Sequence, residues 1–232
     1  MALAAYGDPR RYRDLMTDAI RLVDGGIVVN PEYFLPRTLL PGAERLSERF
    51  REETQEVSGT DLASQERADL AAALQQRVEL AVVHLARLAC SRVGTDRLTV
   101  AGGVAMNCVA MGRLAELEEV KHLWVPPAPG DAGTALGAAL LSAEVGLIPA
   151  ASSFALGPSC SEADLWVARG QLKPHVATSS PVTASKVAEL LARGDIVAIC
   201  QGEVEFGPRA LGHRSILANP LCDSVTALLN SR

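Results

Sequence analysis

Apolar side chains recur near helical spacing at Leu62, Leu70, Leu74, Val78, Val82 and Leu85, and they predict one long helix from Thr60 to Arg92. Thr60 is placed to cap it. Its second half, Val78 to Cys90, is apolar nearly all round, the pattern of a helix enclosed in a layered domain. Upstream, Asp8-Pro9 followed by Arg10 to Val23 predicts a capped helix, with proline in the first turn and Gly25-Gly26 as the stop. Gly26 to Val29 reads as a short strand, Leu35 to Pro41 as a proline-bounded loop, and Ala43 to Glu53 as a short amphipathic helix.

Downstream the pattern changes to an αβ rhythm. Arg97 to Ala101 predicts a strand, Gly102-Gly103 a turn, Met106 to Glu118 a helix and His122 to Val125 a second strand. Pro126 to Gly130 is a stiff loop, and Ala132 to Glu144 a further helix. Strand, glycine-rich turn and helix, repeated, is the pattern of an α/β layer. Pro149 to Ser161 is rich in Ala, Ser, Gly and Pro and reads as a linker. The expected division is therefore 1–150, a linker at 151–161, and 162–232. The last part carries predicted helices at Glu162 to Arg169 and Ala184 to Arg193, a strand at Ile196 to Gln201, and a helical pattern from Val225 to Arg232.

Composition narrows the class. Of 232 residues 48% are hydrophobic and only 4% aromatic, so the expected core is built from helices and β-branched strands rather than large rings. Trp124 and Trp166 read as packing residues. The net charge is −5 and the basic residues are scattered, which speaks against a nucleic-acid or anionic-membrane surface. The five cysteines are far apart and form no Cys-x-x-Cys pair, against a zinc ribbon or thioredoxin-type site. Cys90 and Cys200 lie in apolar runs and read as buried small hydrophobes. The first residues lack the charged start and apolar core of a signal peptide, and the apolar stretch Ala135 to Ala143 is too short to span a bilayer. A cytoplasmic protein in a reducing compartment is the expectation.

Three segments could carry chemistry. In Leu98-Thr-Val-Ala-Gly102-Gly103-Val-Ala-Met-Asn107-Cys, a strand enters a helix through two glycines, gathering backbone N–H groups where an anion is favoured. Asn107 could hydrogen-bond a phosphate, ribose or adenine; the plainer reading is a tight turn without ligand. In Val125-Pro-Pro-Ala-Pro-Gly130-Asp131-Ala-Gly133-Thr-Ala-Leu-Gly137, Asp131 sits at or near a helix N-cap. It is either a cap worth about 1 kcal/mol or a metal ligand. Gly133 and Gly137 let that helix pack closely or leave room for a ligand. The third segment, Gln201-Gly-Glu-Val-Glu205-Phe-Gly207-Pro-Arg209-Ala-Leu-Gly212-His-Arg214-Ser215, brackets two arginines with glycines. They can offer two forks to one phosphate-bearing ligand, with Glu205 orienting one of them, or they can be solvated loop residues. His84, His122, His175 and His213 contain no i, i+4 pair for a metal.

Taken in order, and with Leu3-Ala-Ala-Tyr-Gly7-Asp at the start, these motifs resemble the carbamoyltransferase family of the NodU/CmcH type. The resemblance implies the second half of an actin-like (ASKHA) ATPase-type domain followed by the beginning of a YrdC-like α/β domain. It implies that carbamoyl phosphate and ATP give carbamoyl-adenylate with release of pyrophosphate. The carbamoyl group then goes, with a divalent metal (iron or magnesium), to a hydroxyl of an antibiotic, sugar or nodulation-factor type acceptor. Gly102, Gly103, Asn107 and Gly133 match the nucleotide-binding part and Asp131 the carboxylate metal ligand. Arg209, Arg214 and Ser215 match a motif expected to hold carbamoyl phosphate or the ATP phosphates, with Glu205 behind them, and Arg209 and Arg214 are the catalytic candidates.

The family's paired histidine ligands precede the Leu-Ala-Ala-Tyr-Gly motif, its YrdC-like domain continues past Leu229-Asn230, and Asn219 and Leu221 stand where Asp and Arg are usual. The expectation is an internal fragment, inactive alone, that assembles with a complementary fragment or as a homo-oligomer. The alternatives are a truncated remnant that only binds nucleotide or a partner, and a relative of tRNA threonylcarbamoyl transferases. The scattered basic residues and the fused Glu-Phe-Gly-Pro-Arg-Ala-Leu-Gly segment disfavour the last. A dinucleotide-dependent dehydrogenase fails for want of a GxGxxG turn.

Overall fold

The structure, a computed structural model, describes residues 2–34, 46–54, 64–143, 154–172, 182–222 and 224–231. The predicted loop Leu35 to Pro41, the proposed cap Thr60, and His175 lie outside the described residues. Packing divides the chain into two compact units, one through Asp131 and the other from Ala132. That division is one of packing.

In the first unit, helix α1 (Arg13–Ala19) runs into strand β1 (Ile20–Val23), which pairs antiparallel with β2 (Gly26–Val29), Ile20 opposite Val29 and Val23 opposite Gly26. The helix expected over Arg10 to Val23 is thus a short helix followed by a strand. The residues explain the correction: Ile20-Arg-Leu-Val23 alternates half-buried and exposed positions, and Asp24-Gly25 supplies the two-residue hairpin turn.

Helix α2 (Glu48–Glu53) starts where the Ser47 hydroxyl accepts the Phe50 N–H at 3.1 Å. Helix α3 (Gln65–Val93) is the long helix, with Ser64 at its N-cap. It ends at Gly94, which is left-handed at φ 68° and whose N–H donates to the Cys90 carbonyl. A 3-10 turn, Leu3–Tyr6, docks on α3 through Gly7; a Cβ there would lie 1.9 Å from the Ala68 carbonyl oxygen. The next N–H, of Asp8, donates to the buried Asp69 carboxylate at 2.7 Å, and this bond leads the effects that hold the Asp69 carboxyl below the usual range. The Leu-Ala-Ala-Tyr-Gly-Asp stretch is therefore a docking element for the long helix.

Strands β3 (Arg97–Thr99) and β4 (His122–Trp124) pair parallel, Leu98 opposite Leu123. Between them a 3-10 turn, Gly103–Met106, leads into α4 (Cys108–Ala115), shorter at both ends than the helix expected from Met106 to Glu118. Two apolar clusters hold the unit. Tyr12, Leu15, Met16, Ala19, Tyr33, Phe50 and Ala73 join α1, α2 and α3. Ala86, Ala105, Ala110, Met111 and Leu114, with Leu98 and Leu123 against them, join α3 and α4 to the parallel strands. Trp124 is half exposed and belongs to neither.

The second unit holds α5 (Ala132–Ser142), β5 (Ala155–Ser159), α6 (Glu162–Leu172), α7 (Ala184–Ala192), β6 (Val197–Cys200), β7 (Glu203–Glu205), β8 (Arg214–Leu217) and α8 (Val225–Ser231). β5 pairs antiparallel with β7, and β6 with β8. Part of the expected linker is therefore strand: Ala155 lies opposite Glu205, and Ala155 is buried. Trp166 is exposed rather than a packing residue, and Cys200, at the end of β6, is exposed rather than buried. Among the described residues no helix is long and apolar enough to cross a membrane.

Candidate functional site

Parallel pairing of β3 and β4 brings their carboxyl ends, and the loops that follow, side by side. The Gly102 N–H donates to the Pro129 carbonyl at 2.7 Å, and a Cβ on Gly130 would stand 3.4 Å from Met106 Cε and 4.0 Å from Gly103 Cα. Gly102 adopts φ 102°, ψ 165°, a conformation that a side chain makes costly. Among the described residues, Cβ atoms on Gly102 or Gly103 would meet nothing within 4 Å, so with respect to them the face of the turn is open. A crevice outside the carboxyl ends of adjacent parallel strands is where open α/β sheets bind ligands.

Asn107 works inward from this turn. Its Oδ1 accepts the Ala110 N–H at 3.1 Å, capping α4, and also accepts Gln75 Nε2 at 3.2 Å. Its Nδ2 donates to Gln75 Oε1 at 2.9 Å. Gln75 Nε2 further donates to Glu79 Oε1, and Glu79 Oε2 accepts Arg113 Nε at 3.2 Å. In this geometry the carboxamide fixes the start of α4 on α3 instead of reaching for a ligand. Gln75, Glu79 and Arg113 support the turn, and the sequence reading did not single them out. Their signal is the i, i+4 pair Gln75/Glu79 on one face of the long helix.

Asp131 is exposed, immediately before α5, and Gly133 lies in the first turn of that helix. Among the described residues no three His, Cys, Asp or Glu side chains are grouped to hold a metal ion. One carboxylate is too few donors for magnesium or iron, so these residues alone do not form the implied metal site.

In the second unit, Glu205 at the end of β7 accepts three backbone N–H groups on one oxygen. They come from Leu211 at 2.8 Å, His213 at 2.8 Å and Arg214 at 3.1 Å. These bonds, that from Leu211 foremost, bring its carboxyl down to about 2. Glu205 therefore shapes the loop backbone, where the sequence suggested a pair with an arginine side chain. Arg214 is also tied down: Nη1 donates to the carbonyls of Gln201 at 2.8 Å and His213 at 3.0 Å, and Nη2 to that of Gly202 at 3.1 Å. Ser215 Oγ accepts the Gly212 N–H at 2.9 Å. Arg209 is exposed on the loop between β7 and β8. His213 Nδ1 is buried with no hydrogen-bond partner among the described residues, packed where a side chain at Gly202 would stand 3.0 Å away.

Comparison with known proteins bears on both units. The family pattern described as Carbamoyltransferase N-terminus matches residues 1–140, and that described as Carbamoyltransferase C-terminus matches residues 188–232. Nodulation protein NolO of Bradyrhizobium diazoefficiens is 38% identical over 95% of this chain and 39% of its own length. Nodulation protein NolNO of Sinorhizobium fredii is 37% identical over 95% of the chain and 32% of its own length. The protein sll1178 of Synechocystis is 35% identical over 99% of the chain and 39% of its own. The chain thus spans 32–39% of the length of these curated relatives. On the match over residues 1–140 and these identities, the chain belongs to the carbamoyltransferase family.

Proposed function

We propose that the chain serves ATP-dependent O-carbamoyl transfer. Carbamoyl phosphate and ATP go to carbamoyl-adenylate with release of pyrophosphate, and the carbamoyl group then passes to a hydroxyl of a small-molecule acceptor. Atom balance in the first stage takes in one water and releases the phosphate of carbamoyl phosphate. The acceptor class is that of antibiotics, sugars or nodulation factors. The observation carrying this reading is the open Gly102-Gly103 turn at the carboxyl end of a parallel strand, in a chain of the carbamoyltransferase family. Backbone N–H groups of such a turn suit the phosphates of a nucleotide. Asn107 acts by holding the turn, and Gly133, in the first turn of α5, is a further proposed nucleotide contact.

In the second unit, Arg209, Arg214 and Ser215 are the proposed phosphate contacts. The carbonyl bonds to Arg214 fix its guanidinium in advance, so little ordering cost falls on binding. Glu205 keeps that loop in shape. Residues 1–150 are assigned to an actin-like carbamoyl-transfer domain and 162–232 to a YrdC-like one, in a cytoplasmic protein. Asp131 is kept as one carboxylate donor to a metal, and no step is derived through it.

The test is pyrophosphate release with ATP and carbamoyl phosphate supplied singly and together. Release that needs both supports the reading. Release with ATP alone, or carbamoyl transfer to tRNA in preference to small hydroxyl compounds, contradicts it.

A further inference from the structure

Cys160 and Cys200 bring their sulfurs to 3.8 Å although they lie 40 residues apart, the one sulfur–sulfur contact among the described residues. Both side chains are exposed, whereas Cys90 is buried and Cys222 half-buried. Their positions are set by structure on either side. Cys160 directly follows β5 and precedes Ser161, which opens α6 with a reciprocal cap: Ser161 N–H and hydroxyl donate to Asp164 Oδ2 at 2.9 and 2.6 Å, and the Asp164 N–H returns to Ser161 Oγ at 3.2 Å. Cys200 ends β6, directly opposite Arg214 on β8. Arg214 Nη2 donates to Cys160 Sγ at 3.7 Å, so a fixed positive charge lies beside one thiol of the pair.

We propose that Cys160 and Cys200 form a reversible dithiol–disulfide modification site that clamps the end of β5, in one sheet, to the end of β6, in another. The co-reactant is a hydroperoxide. The Cys160 thiolate attacks its O–O bond, giving a sulfenic acid and hydroxide. The Cys200 thiolate then attacks the sulfenic sulfur, the S–S bond forms, and a second hydroxide leaves. With the two thiol protons the balance is two thiols oxidised by two electrons and one hydrogen peroxide reduced to two waters; a dithiol reductant reverses it. The sulfurs must close from 3.8 Å to about 2.0 Å. Oxidation would turn the Cys160 sulfur away from Arg214, whose guanidinium holds the turn at Gln201 and Gly202. The site is independent of the carbamoyl-transfer reading.

The experiment treats the full native chain with hydrogen peroxide, unfolds it and blocks the remaining thiols by alkylation, and reads intact mass and a non-reduced peptide map. The expected result is loss of two of the five alkylatable thiols, a mass lower by two hydrogens before alkylation, and a Cys160–Cys200 linked peptide that dithiothreitol removes. Cys160→Ser and Cys200→Ser each abolish the link and Cys222→Ser retains it. Oxidation to sulfinic acid without a link, a link only between molecules, or an unchanged two-thiol loss in Cys200→Ser overturns the proposal. The wild-type peptide map decides the matter even where a serine variant fails to fold.

Discussion

Replacing Asn107 with alanine separates a residue that builds the glycine turn from one that only waits for ligand. The change removes the acceptor for the Ala110 N–H, a cap worth about 1 kcal/mol. It also removes the two-bond pair with Gln75, each bond worth about 0.5–1.5 kcal/mol. The expected loss for Asn107→Ala is about 2–4 kcal/mol, without ligand present. Gln75→Ala loses the pair and its bond to Glu79 but keeps the cap, about 1.5–4.5 kcal/mol. Because the two share two bonds, the double variant falls short of the summed losses by about 1–3 kcal/mol. Asn107→Ser keeps a capping oxygen and recovers about 1 kcal/mol relative to alanine. Urea denaturation followed by far-UV circular dichroism measures the four variants against the wild type. Strict additivity of Asn107→Ala and Gln75→Ala, or a serine variant no better than alanine, refutes the reasoning.

The remaining predictions concern other parts of the chain. Gly7→Ala forces a methyl to 1.9 Å from the Ala68 carbonyl oxygen and should cost about 1–3 kcal/mol in the same denaturation assay; a neutral result breaks the docking account of the first motif. Gly102→Val places a branched side chain at positive φ, costs about 1–3 kcal/mol of stability and abolishes ATP binding measured by calorimetry. The Glu205 carboxyl lies lowered from 4.5 to about 2, so the order it gives the loop is present above pH 4.5 and lost as pH falls toward 2. Protection factors at the Leu211, His213 and Arg214 amides, taken against the intrinsic exchange rate at each pH, should fall over that window in the wild type and be low already at neutral pH in Glu205→Ala. Unchanged exchange in the variant would mean the three N–H bonds do not hold the loop.

Much of the first unit was legible because its signals are local. The long helix announced itself by periodicity, and the two strand–turn–helix passages by glycine and proline at the strand ends. The Asp24-Gly25 turn carried its hairpin signal too, but read as a helix stop it concealed β1. β5 was hidden for a different reason. Gly157 and Pro158 within it resemble linker residues, and its partner β7 lies far along the chain, where no local pattern points. The same distance hid the support of the site: the cap at Asn107 depends on neighbours, whereas Gln75 is 32 residues away. Cys200 misled because an apolar run does not say which face of a strand its last residue occupies.

The central claim is that the Gly102-Gly103 turn receives the phosphates of a nucleotide. The most direct measurement follows backbone amide resonances of the isotope-labelled chain as ATP is added. The account predicts saturable shifts at Gly102, Gly103, Val104 and Ala105 and in the adjoining loop at 126–131, those at the turn being absent in Gly102→Val. Saturable shifts that leave this turn unmoved, or no binding at all, would contradict it.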